Sequence, residues 1–176
     1  MGDCMLRWKT MALWSLMLLM GFAQTDQIQA ATWLVNEDGT ADFLTIQEAI
    51  DIAADDDSIQ IAEGHYVEQL LIEDRLSLSI IGAGTDLTFI ESPEVLPLTY
   101  NLNGHSQYPV VIISDCASIN FSNLTLDGMG NGLGNQPFHG FGYFDSGGSI
   151  ENVHVTQMRE DPLSFELHGN GFFVVT

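Results

Sequence analysis

One amphipathic helix pattern stands near the front of this chain, and only strand-sized apolar clusters follow it. Thr45 lies three residues before Glu48, the spacing of a capping box. Ile46, Ala49, Ile50 and Ala53 then fall on one face, with Gln47, Glu48 and Asp51 on the other. The spacing predicts a helix over 46–54. A lone helix ahead of many short strands is best used as a cover on the open end of a stacked sheet, because unpaired strand edges invite further pairing.

A short apolar strand at 32–35 and a turn at 36–40 precede the helix. After it the clusters are Ile59 with Ile61, then 70–72, 76–81, 87–90, 110–113, 119–126, 141–144, 150–155, 163–167 and 172–175, separated by Gly, Asn, Asp and Ser. They are read without hairpin pairs such as Asn-Gly, which favours stacked coils over a meander. FSNLTL at 121–126 recurs as IENVHV at 150–155, twenty-nine positions later, with its Asn in register. A period of this size marks a solenoid, in which each coil buries its apolar side chains on the next. Asn123 and Asn152 would then stack in successive turns, each amide donating to the next carbonyl. A β-sandwich is the alternative architecture.

Arg7 and Lys9 open a leader whose apolar run ends at Phe22, with small residues at Gly21, Ala23, Ala30 and Ala31. This reads as a secretory signal peptide over 1–30, with a signal anchor as the alternative. The run is shorter than the roughly 20 residues a membrane span needs, and no later stretch approaches that length. The domain, 31–176, is long enough for one real core. Removing the leader takes Asp3 and Asp26 from 24 acids and two of four bases, so 22 carboxylates face Arg75 and Arg159 alone. That balance argues against nucleic acid and anionic membranes as partners. Cys116 becomes the sole thiol, so no internal disulfide forms.

The helix runs into Asp55, Asp56 and Asp57 at the negative end of its dipole, where exposed anions are disfavoured. Either a cation site or a solvated turn accounts for them. The histidines at 65, 105, 139, 154 and 168 have no transition-metal spacing. The Gly-rich stretch 128–142 reads as a loop leaving a coil.

DGTADFLTIQEAID, DDDSIQIAEGHYVE and SIIGAG together resemble the amino-terminal signature of pectinesterases and related secreted proteins of the pectin lyase-like superfamily. The matching positions include Asp38, Gly39, Asp42, Phe43, Thr45, Gln47, Ile59, Ile61, Gly64, Tyr66, Glu68, Gly82 and Gly84. One departs: Asp56 stands where the family has Gly. The resemblance is strong over 32–85 and implies an all-β fold, a right-handed parallel β-helix with an amino-terminal capping helix. It also implies an esterase site on the outer face, built from amide donors, two Asp and an Arg. Laying that pattern on EDPLSFELHGNGFF makes Asp161 the acid, matches Leu163, and puts Glu160 where a Gln is expected. The alternative is an ordinary turn at Glu160, Asp161 and Pro162. The second Asp and the Arg have no counterpart, and the apolar strand running to Thr176 reads as a truncated product.

Two function classes are therefore expected. One is a secreted enzyme of esterase or lyase type acting on an acidic plant- or algal-type polysaccharide. The other is a non-catalytic extracellular carbohydrate-binding module. For an anionic polysaccharide, so acidic a surface calls for a bridging cation such as calcium.

Overall fold

The computed structural model describes residues 29–162 and 169–176. The elements are β1 (Thr32–Val35), α1 (Ile46–Ile52), β2 (Ser58–Ile61), β3 (Gly64–Val67), β4 (Leu70–Glu73), β5 (Ser77–Gly82) and β6 (Thr88–Glu91). There follow β7 (Tyr100–Leu102), β8 (His105–Ser114), β9 (Ser118–Asp127), β10 (Phe138–Phe144), β11 (Gly148–Thr156) and β12 (Asn170–Val175). The chain is mostly β, and its long-range strand pairings are parallel.

Successive passes visit three parallel ladders in one order. The first ladder holds β1, β2, β5 and the leading halves of β9 and β11; the second holds β3, β6 and their trailing halves. The third holds β4, β8, β10 and β12. Because β9 serves both of the first two, these join as one seven-stranded sheet. Register then stacks like on like. Ile59 pairs with Ile80 and Ile80 with Phe121, Tyr66 with Ile90 and Ile90 with Leu126, Leu70 with Val111 and Val111 with Phe141. All are buried, at roughly 1.5–3 kcal/mol for each aliphatic or Phe side chain.

The stacked asparagines appear as expected. Asn123 and Asn152 both adopt the left-handed conformation, with φ 57 and 50, and Asn152 Nδ2 donates to Asn123 Oδ1 at 2.7 Å. They mark the corner where β9 and β11 turn from the first ladder to the second. The corner rests on Gly82, where an added Cβ would lie 2.3 Å from the Asn123 carbonyl oxygen.

The helix is present over Ile46–Ile52, slightly shorter than predicted, and packs against β1, β2 and β4. Thr45 Oγ1 accepts from Glu48 N at 3.3 Å, one half of the capping box. The next free amides find a different partner: Ile46 N and Gln47 N donate to the two oxygens of Glu68, at 2.9 and 3.0 Å. At the other end Arg75 donates to the carbonyls of Ala53 and Ile50, at 2.5 and 3.1 Å. A cation there complements the helix dipole.

Two expectations are corrected. Asn103-Gly104 is a hairpin pair after all: φ is 52 and 89, positive at both positions as a type I′ turn requires, and β7 pairs antiparallel with β8. The Gly-rich stretch is not all loop either, since its last part forms β10, buried along its length. The strand pattern at 163–167 and nearly all of the proposed leader lie outside the described residues. Among the described residues no helix is long and apolar enough to cross a membrane.

Candidate functional site

The acidic run does not gather into a metal centre. Asp57 is buried, and its carboxylate accepts from Ala31 N at 2.6 Å, Ala54 N at 2.8 Å and Trp33 Nε1 at 2.9 Å. Burial pushes its carboxyl up, but these hydrogen bonds and the charge of Arg75 outweigh it and hold the group below its ordinary value. Asp55 accepts from Leu76 N at 2.8 Å, and Asp56 occupies a left-handed turn with φ 67. Among the described residues no group of three His, Cys, Asp or Glu side chains could hold a metal ion. The run instead ties the helix end to β1 and β5.

Glu68 is equally structural. Burial pushes its carboxyl above the ordinary value, against the two helix amides that stabilise the charged form. Cys116 is a free, buried thiol, raised by that burial.

Asp161 is exposed, and its N–H donates to the Gly130 carbonyl at 3.0 Å. It belongs to a wall of layered turns that leave the second ladder. Asn131 Nδ2 donates to Ser92 O at 2.9 Å and Asn135 Nδ2 to Glu94 O at 3.0 Å, tying the Gly-rich turn to the turn before it. Gly128 N, Gly130 N and Gly132 N donate to Thr156, Gln157 and Arg159, tying it to the turn after. Glu160, where the resemblance expects a Gln, is buried and bridges Asn131. Leu163 lies outside the described residues.

Beside this wall is a site that sequence reading missed. Tyr66, Thr88, Ile90 and Leu126 are buried, so strand alternation turns their neighbours His65, Phe89, Glu91 and Asp127 to the other face. His65 is the register partner of Phe89, and Glu91 of Asp127. In-register parallel strands hold such partners one strand spacing apart, about 4.8 Å, which suits flat rings. The His65 and Phe89 rings stack with centroids 4.6 Å apart and planes 4° from parallel. Glu91 Oε1 lies 2.6 Å from His65 Nδ1. A carboxylate can only accept, so Nδ1 carries a proton toward Glu91 and Nε2 is the ring nitrogen left over. Asp127 is fixed by Met129 N at 2.8 Å and Gln157 Nε2 at 3.0 Å. The sequence signal was each residue's flank on an inward apolar residue; which flanks meet is decided by register.

A second concavity, about 570 Å³, lies along Leu102–Tyr108 with Gln136 and Pro137. Gln107 lines it and accepts from the buried His139 Nε2 at 3.0 Å, while His139 stacks on Phe173 with centroids 4.4 Å apart.

No family model matches the chain, and no curated protein matches it.

Proposed function

We propose that the three ladders wind as a right-handed parallel β-helix, and that the protein, exported by its leader, binds extracellular polysaccharide. The observation that supports this most is the shelf on the second ladder. His65, Phe89, Glu91 and Asp127 stand in register on one outward face, His65 exposed and the other three half-buried, with the layered turns forming a wall along its edge. A polysaccharide is a periodic, hydroxyl-rich, partly apolar chain. Such a ligand suits rings and hydrogen-bonding carboxylates repeated along a coil axis.

A pectinesterase-type activity has less behind it. Asp161 stands exposed on the wall, and its carboxyl makes no hydrogen bond with any described residue. The binding reading is tested by retention of the purified protein on immobilised cellulose, xylan and pectate, at low and physiological ionic strength, with and without chelator. Retention on at least one matrix is expected. Retention on none would overturn it, and loss of pectate retention on chelation would assign calcium as the bridge between two anionic partners.

A further inference from the structure

We propose that His65, Phe89 and Glu91 form a subsite for a neutral pyranoside ring, a step that rests on the polysaccharide-binding reading and narrows it. The ring pair has one covered face and one open one. Phe89 covers one side of the imidazole, and β3 ends its sheet, so among the described residues no further strand lies on the other side. The His65 side chain is 63% exposed. A third flat group can therefore continue the stack, and the C–H face of a pyranose has the shape and apolar character for it.

The polar edge of the same stack selects hydroxyl groups. Glu91 occupies Nδ1 and orients the ring, so Nε2 is left to hydrogen-bond a sugar hydroxyl. Glu91 Oε2 makes no hydrogen bond with any described residue and is an acceptor. Two hydrogen-bonding atoms, Nε2 and Oε2, and a flat ring recognise a diol on a pyranose.

Charge decides which sugar. Glu91 and Asp127 are register partners on this face, and the exposed Glu94 follows two residues after Ser92. The guanidinium of Arg75 is engaged at the carboxyl end of α1. A uronate carboxylate would meet Glu91 and Asp127, neither of which is ion-paired with an arginine among the described residues, whereas a neutral hexose or pentose brings no charge to repel.

The test is isothermal titration of the full chain with cellohexaose and, separately, hexagalacturonate, for the parent protein, His65→Ala, Phe89→Ala and the exposed control Leu76→Ala. All substituted positions are surface strands or turns, and thermal melts verify folding. Binding of cellohexaose that falls at least tenfold in His65→Ala and Phe89→Ala, but not in Leu76→Ala, is the expected result. A folded Glu91→Gln variant should weaken binding severalfold. Equal cellohexaose binding by parent and His65→Ala overturns the subsite while leaving the polysaccharide reading intact. Preference for hexagalacturonate, or binding of neither oligosaccharide, also overturns it; retention on the polymer matrices then decides separately whether the broader reading stands.

Discussion

His139 shows how a single side chain can set a pH limit on the fold. Its ring is buried, its Nε2 is spent on Gln107, and its Nδ1 has no partner among the described residues. Burial pushes its pKa from 6.5 down to about 4. The unfolded chain accepts a proton below 6.5 that the native state refuses. Stability from this group is therefore full above 6.5 and drains as pH falls from 6.5 toward 4, by up to about 1.4 kcal/mol per pH unit. Urea midpoints measured from pH 7.5 to 4.5 should fall faster for the parent than for His139→Phe, and parallel curves would refute the assignment. Asp56 poses a simpler case. It stands at φ 67 where the resembling family has Gly, and a non-glycine residue there is strained by about 1–2 kcal/mol, less for Asp. Asp56→Gly should raise the midpoint by an equivalent of about 1 kcal/mol, read by chemical denaturation at pH 7.

Elements here are joined by residues distant in sequence. Helix α1 is too short to be stable alone, and its amino end is completed by Glu68, twenty-two residues after Ile46. Glu68→Ala strands two amides and should cost about 2 kcal/mol; a loss below about 0.5 kcal/mol in equilibrium unfolding would mean that water replaces the carboxylate. The capping box was legible in TIQE, but the partner of the next two amides was not, because it depends on where β3 delivers Glu68. The corner at Asn123 behaves alike. An Asn in a repeated FSNLTL pattern announces a turn, yet only the contact with β5 reveals that Gly82 must lack a side chain. Gly82→Ala should destabilise by about 3 kcal/mol or more, since backbone would have to move. Asn123→Ala should lose about 1–2 kcal/mol and Asn123→Gly less, because glycine keeps the left-handed turn while losing the amide bond. Unfolding curves for the three variants in that order would verify the corner.

For the molecule as a whole, the third ladder leaves apolar surface at one end. Phe172 is 51% and Val174 61% exposed on β12, and β12 pairs with β10 alone among the described residues. Apolar side chains on a strand with one free edge favour pairing with another chain. The 176-residue protein should therefore self-associate with rising concentration, and Val174→Lys should reduce it; light scattering that finds a monodisperse monomer at high concentration would count against this. Net charge of −20 opposes association at low salt, so the effect should grow as salt screens the repulsion.

Period and composition determined the strand series, the single helix, the 29-residue repeat and the acidic surface, since each is a local property of consecutive side chains. They also fixed the Asn123 and Asn152 pair, because a repeat in register stacks what it repeats. Pairings between unequal passes were decided by tertiary structure alone. The chain steps from Ser58 to Ser79 but from Ser77 to Ser118 along the same ladder, the longer step containing the β7–β8 hairpin. No fixed period predicts that step, so His65 could not be set on Phe89, nor Glu91 beside Asp127, before the register was known. The acidic run was likewise ambiguous in sequence, where three carboxylates look alike. The fold separates them by what each can reach: Asp57 finds three N–H donors, Asp55 finds one, and Asp56 bends the chain.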